Sequence, residues 1–113
     1  MKLNIETHGR TTLAIAEGRL DFGAAGGFQN QLEQELGGAA LIPDCAGLGY
    51  VSSAGLRAFL VVARAAQSAG VAFSLCALQP AVREVFDLSG FSRIIRVHPD
   101  RATALAQAAQ PSA

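Results

Sequence analysis

The chain has 113 residues, half of them hydrophobic and 16% charged, with nine basic residues offset by nine acidic ones. That length fits one domain, the apolar content suffices for one core, and the composition excludes a disordered chain. A neutral chain with no Lys/Arg block is a poor nucleic-acid binder, and its longest apolar stretch, Ala54 to Ala66, is broken by Arg57 and Arg64 and too short for membrane insertion.

Leu3 to Thr7 alternates apolar and polar residues and predicts a half-buried strand. His8-Gly9-Arg10 reads as a tight turn, after which Thr12 to Ala16 returns antiparallel. Gly18 to Gly27 holds four glycines and Asp21, and reads as a loop. Phe28, Leu32 and Leu36 recur every four residues between polar ones, which predicts an amphipathic helix ended by Gly37-Gly38 with those three residues in the core. Ala40 to Cys45 fits a buried strand, although Pro43 counts against a central position. Leu48 to Val51 reads as a loop, and Asp44 as a residue near the strand end.

Ser52-Ser53 introduces the most apolar helix, Ala54 to Ala69, closed by Gly70. Val71 to Leu75 is a predicted strand. Pro80 suits a helix first turn, with Val82, Val85, Phe86 and Leu88 along the apolar side and Phe91 as a core plug after Gly90. Ile94 to Val97 is a short strand, Asp100 caps a last helix from Arg101 to Ala109, and residues 110–113 are expected to fray. The order ββαβαβαβα predicts a single α/β domain over residues 1–109. Its mixed sheet opens with a hairpin, continues with parallel strands and is flanked by about four helices.

Cys45 and Cys76 sit in apolar stretches outside any CxxC, and are expected to be reduced core thiols rather than a disulfide or a metal site. The N-terminal MKLNIETHGR has no apolar segment of signal-peptide type, so a cytoplasmic protein is expected. The first half, residues 1–56, carries three basic and six acidic residues; the second half carries six basic and three acidic. That asymmetry can orient a partner without identifying it.

The informative segment is Tyr50-Val51-Ser52-Ser53-Ala54-Gly55-Leu56-Arg57. On a helical wheel Arg57, Arg64 and Ser68 form a narrow polar stripe flanked by Ser53 and Val61, with Phe59, Leu60, Val62, Ala63 and Ala66 opposite. One reading of the serines is that Ser52 or Ser53 caps the helix. A second is that one of them also accepts a phosphoryl group, whose charge a helix N-terminus tolerates while a packed partner does not. Arg57 is either a solvated helix residue or a docking contact for an acidic patch, and Val61 beside it favours a contact surface. Catalysis is not expected. Ser53-Ala54-Gly55 supplies half of a Gly-x-Ser-x-Gly elbow, but position 51 is Val, and His8 and His98 read as surface residues. No P-loop, paired carboxylates or metal-ligand spacing appears, so no cofactor or metal is expected.

Asp44 to Leu56 resembles the signature of the STAS domain, in particular the bacterial anti-sigma factor antagonists. Gly18-Arg19-Leu20-Asp21 is similar to that family's Gly-x-Leu-Asp after the second strand. Gly70 to Val82 and Phe86 to Phe91 are similar to its later segments. The resemblance covers nearly the whole chain and implies partner switching that regulates transcription or signalling. An unphosphorylated antagonist binds an anti-sigma factor that is a serine kinase of the histidine-kinase-like ATPase type. Phosphorylation releases that partner, and a PP2C-type phosphatase restores binding. The resemblance places the phosphoacceptor on Ser53 and a recognition pole on Asp21, Ser52, Ala54 and Gly55. One departure is Ser52, where the family often has Asp; it leaves Ser52 as an alternative acceptor, and Asp21 could partly replace the lost carboxylate. A STAS subunit packed against an ABC-type ATPase in lipid transport is the alternative function, although those helix starts tend to resemble Asp-Thr-Ala-Gly-Leu.

Overall fold

Alternation at the N-terminus yields the expected hairpin. In a computed structural model, which describes residues 1–109, β1 (Lys2–His8) runs antiparallel to β2 (Thr11–Leu20) with His8 opposite Thr11. The chain continues through α1 (Phe22–Glu33), β3 (Ala40–Val51), α2 (Ser53–Ala69), β4 (Ala72–Cys76) and α3 (Pro80–Leu88). A single 3-10 turn (Phe91–Arg93) then leads to β5 (Arg96–His98) and α4 (Arg101–Ala109). The strands lie in the order β1-β2-β3-β4-β5, parallel after the hairpin, because each later strand is reached through a helix-length crossover. This is the predicted ββαβαβαβα order. The expected fraying of 110–113 falls outside the described residues.

Neighbouring strand residues point to opposite faces, and both faces are covered. Ala14, Leu41 and Leu75 pack under α1, α2 and α3 with Phe28, Leu32, Phe59, Val62 and Phe86. Leu13, Ile42 and Cys76 pack under α4 against Ala104. Two-sided burial explains why the β3 sequence reads as a continuous apolar run. Edge-to-face contacts link Phe28 to Phe59 (5.1 Å), Phe59 to Phe86 (5.4 Å) and Phe86 to Phe91 (6.4 Å), tying three helices and the 3-10 turn together.

Several boundaries differ from expectation. The glycine-rich stretch 18–27 is not a loop: Gly18 to Leu20 complete β2, and Phe22 to Gly27 form the first half of α1. Asp21 starts that helix by accepting from the Ala24 N–H (2.9 Å), and burial of Ala25, Phe28 and Leu32 outweighs the poor helix propensity of its glycines. The helix ends at Glu33, leaving Leu36 half-buried beyond it. Strand β3 extends to Val51, absorbing the expected Leu48–Val51 loop and placing Asp44 mid-strand. Pro43 is central after all: it pairs with Ala14, and the ladder to β4 passes from Leu41↔Phe73 to Asp44↔Cys76 in one register. On α3, Val82 and Phe86 are buried while Val85 and Leu88 are exposed, because only one turn-spaced pair faces the sheet. Ile94 is likewise exposed outside β5, whereas Ile95 is buried.

Both cysteines are free and buried. Cys76 is the ladder neighbour of Asp44 and faces α4, whereas Cys45 faces the other core, so the sheet separates the two thiols. Burial pushes the Cys45 thiol far above its ordinary value and Cys76 up to about 12. No helix among the described residues is long and apolar enough to cross a membrane.

Candidate functional site

Parallel strands bring successive helix starts to one end of the sheet. There β2 ends at Leu20 and β3 at Val51, so the N-termini of α1 and α2 are neighbours. Ser52 joins them. Its backbone N–H donates to the Leu20 carbonyl (2.9 Å), and its hydroxyl donates to the same oxygen (3.0 Å). The Ser52 Oγ also accepts from the Gly55 N–H (3.1 Å), which identifies Ser52 as the N-cap of α2. Gly55 is buried against the same strand end: a Cβ there would lie 2.9 Å from the Leu20 oxygen and 2.8 Å from Leu20 Cγ. The Ser-x-x-Gly spacing therefore clamps α2 onto the end of β2.

Asp21, the next residue after Leu20, caps α1 through its side chain (2.9 Å to the Ala24 N–H). Ser53 stands at the first position of α2 and is exposed, whereas Ala54 is half-buried against the core. Arg57 is exposed one turn later, and Val61 is half-buried another turn down. Asp21, Ser52, Ser53, Ala54 and Gly55 are thus brought to one pole, with Arg57 beside them and Val61 farther along α2. The first turn of α2 holds no acidic residue. A phosphate on the Ser53 hydroxyl would meet the positive end of the α2 dipole, with Asp21 as the carboxylate at the neighbouring helix start.

Three features of this end were not found from sequence. Leu20 is the shared acceptor for the clamp. Arg19 lies with its guanidinium 4.3 Å from the centre of the Tyr50 ring, a contact created by the Arg19↔Tyr50 register. Phe22 is 85% exposed at the first turn of α1. A phenylalanine beside a run of small residues carries no sequence signal that separates a core residue from a surface one.

Asp44 belongs to the opposite face. Its side chain is 5% exposed and accepts from Arg101 on α4 (2.8 Å) and from the Ala46 N–H (3.0 Å). The hydrogen bond from Arg101 raises that guanidinium's already high pKa. The pair tethers α4 to the central strand, which no local pattern revealed because the partners are 57 residues apart. Asp100 caps α4 as expected, accepting from the Thr103 N–H (2.7 Å), and that bond holds its carboxyl below the ordinary value.

His98, expected at the surface, is buried in β5 beside Cys76 and faces α4, while His8 lies at the hairpin turn, the far end of β2 from Ser53. Neither stands near the Ser53 hydroxyl as a base. Burial, assisted by Arg96, lowers the His98 pKa. Among the described residues no group of three His, Cys, Asp or Glu side chains is placed to hold a metal ion.

The STAS domain profile matches residues 2–104. BtrV of Bordetella bronchiseptica, assigned as an anti-sigma factor antagonist, is 37% identical over 112 residues, covering 94% of this chain and 93% of that protein. TM1081 of Thermotoga maritima, also so assigned, superposes with a TM-score of 0.89 at 16% identity, over 96% of this chain and 95% of that one. The anti-sigma factor antagonist SpoIIAA in its unphosphorylated form gives 0.80 at 20% identity, over 94% and 95%. Its phosphorylated form, from Bacillus, gives 0.73 at 19%, over 94% and 98%. At such identities the structural likeness is one of fold; the profile and the BtrV match establish membership. The chain is therefore a STAS domain protein of the anti-sigma factor antagonist family.

Proposed function

We propose that this protein binds a serine-kinase-type anti-sigma factor while unphosphorylated and releases it when Ser53 is phosphorylated. In this reading it is a cytoplasmic, non-enzymatic substrate of that histidine-kinase-like ATPase and of a PP2C-type phosphatase. The γ-phosphoryl group of ATP passes to Ser53 Oγ, the hydroxyl proton leaves to a kinase group, and ADP departs. Hydrolysis by the phosphatase returns serine and inorganic phosphate.

The observation that carries this reading is the division of labour between the serines. The Ser52 hydroxyl is occupied by the Gly55 N–H and the Leu20 carbonyl, whereas Ser53 is exposed at the first helical position. Ser52 thus does the capping work, which leaves Ser53 available. Charge supplies the switching force. The exposed guanidinium of Arg57 offsets the Asp21 carboxylate at this pole. A phosphate adds about −1.5 to −2 charge and makes the pole negative. The fold keeps its clamp, because Ser53 contributes none of the clamp's hydrogen bonds. A family member, SpoIIAA, has been solved in both phosphorylated and unphosphorylated forms, which is consistent with a modification the fold accommodates.

Incubation with ATP and candidate histidine-kinase-like anti-sigma factors from the same cell, followed by mass spectrometry, is expected to place one phosphate on Ser53. Ser53→Asp is expected to weaken binding to that factor at least tenfold. Phosphate on Ser52 instead, or unchanged affinity of Ser53→Asp, would overturn the assignment. Co-purification with an ATPase–permease complex would favour a transport role.

A further inference from the structure

Five of the six phenylalanines are at least partly buried: Phe28, Phe59, Phe86 and Phe91 form the edge-to-face series, and Phe73 is packed against the same core. Phe22 is the exception, 85% exposed. A fully hydrated aromatic ring gains nothing for the isolated fold, and rings of this kind anchor protein interfaces. It is also held in place. Asp21 receives the Ala24 N–H on its side chain (2.9 Å), and its backbone carbonyl accepts the Ala25 N–H (3.1 Å), so the backbone carrying Phe22 is the ordered first turn of α1. Pre-organisation of this kind lowers the entropic cost of docking.

Position links the ring to the pole described above. Phe22 follows Leu20 by two residues, and the Leu20 carbonyl is the acceptor that clamps the start of α2, one residue before Ser53. The helix face behind the ring is bare: Gly23, Gly26 and Gly27 are exposed, and a Cβ on Gly26 or Gly27 would meet nothing within 4 Å. Gly55, by contrast, is required by the Leu20 backbone. Nothing inside the fold demands glycine on this face of α1, and a partner can approach its backbone closely there.

We propose that Phe22 is the hydrophobic anchor by which this pole holds its anti-sigma factor, seated in an apolar pocket on that partner with acidic residues at its rim. The acidic rim complements the exposed guanidinium of Arg57, one turn beyond Ser53 on α2. The anchor rests on the partner-switching reading and deepens it. Affinity comes from the ring, and release comes from charge, because a phosphate on Ser53 faces the same acidic rim. Leu88, exposed to a similar degree (81%), ends α3 away from the helix starts and serves as the internal control.

The test measures Kd between the unphosphorylated full chain and the purified histidine-kinase-like anti-sigma factor from the same cell that phosphorylates it. Phe22→Ala is expected to weaken binding at least tenfold with an unchanged melting temperature, Phe22→Leu to retain most of the affinity, and Leu88→Ala to bind as wild type. Gly26→Ala/Gly27→Ala is expected to raise the melting temperature by a few degrees while weakening binding, a split that a purely structural role would not produce. If Ser53→Asp weakens binding and Phe22→Ala does not, the anchor is refuted and the switch stands. If Phe22→Ala weakens binding and Ser53→Asp does not, the anchor stands and the switch falls. Absence of binding by the wild-type chain overturns both. A wild-type dimer that Phe22→Ala dissolves would assign the ring to self-association and overturn the anchor.

Discussion

Replacing Ser52 and Ser53 one at a time separates a structural hydroxyl from an available one. Ser52→Ala removes an N-cap, about 1 kcal/mol. It also removes the hydroxyl bond to the Leu20 carbonyl, which keeps its second bond from the Ser52 N–H at 2.9 Å and so costs only about 0.5 kcal/mol more. The sum is about 1.5 kcal/mol. Unfolding entropy of about 2.1 cal/mol/K per residue over this chain gives about 0.24 kcal/mol/K, so the melting temperature should fall by about 6 °C. Ser53→Ala replaces an exposed first-turn residue by a better helix former, and should move stability by no more than about 0.5 kcal/mol, or about 2 °C. Far-UV circular dichroism during thermal and urea unfolding reads both, with the urea slope unchanged if the denatured states match. Equal losses at both positions, or a larger loss at Ser53, would refute the assignment of the cap and with it the argument that Ser53 is spare.

Three further outcomes follow from the geometry. Gly55→Ala forces a Cβ against the Leu20 backbone and should destabilise by about 1–3 kcal/mol in urea titration, whereas Gly27→Ala, which meets open space, should stabilise by up to about 1 kcal/mol. Arg101→Ala leaves the buried Asp44 carboxylate with the Ala46 N–H alone and should cost about 1–3 kcal/mol. Arg83→Ala, which breaks an exposed pair with Asp87, should fall within about 0.5 kcal/mol of wild type; equal effects of the two arginines would contradict the tether. The His98 pKa lies below its ordinary value, so the unfolded chain takes up a proton that the fold resists. Its contribution is intact above about pH 6.5 and declines as pH falls below it. The depressed Asp100 carboxyl adds a loss in the same direction below about pH 4. Urea midpoints that stay level or rise between pH 7.5 and 5.5 would oppose the His98 prediction.

Element order was legible because each strand and helix carries its own periodicity, and the hairpin turn, the Gly70 stop, the Pro80 start and the Asp100 cap are local signals. The Ser-Ser helix start and its Gly55 were legible as well, since capping chemistry is written in adjacent residues. Long-range packing decided the rest. Whether Gly18 to Gly27 is loop or helix depends on burying Phe28 and Leu32 against α2, and no local propensity contains that energy. Whether Pro43 can sit in a central strand depends on which neighbour lacks a bond there, a property of the ladder. Ser52 was held at the end of β2 by the Leu20 carbonyl 32 residues away, and Asp44 found its partner at Arg101 on α4, 57 residues away. Phe22 shows the same limit from the other side: its identity suggests a core, and only the placement of α1 turns it outward. Chain-local hydrogen bonds and periodicity determine the elements; burial and charge pairing between distant segments determine which side chains remain free to meet a partner.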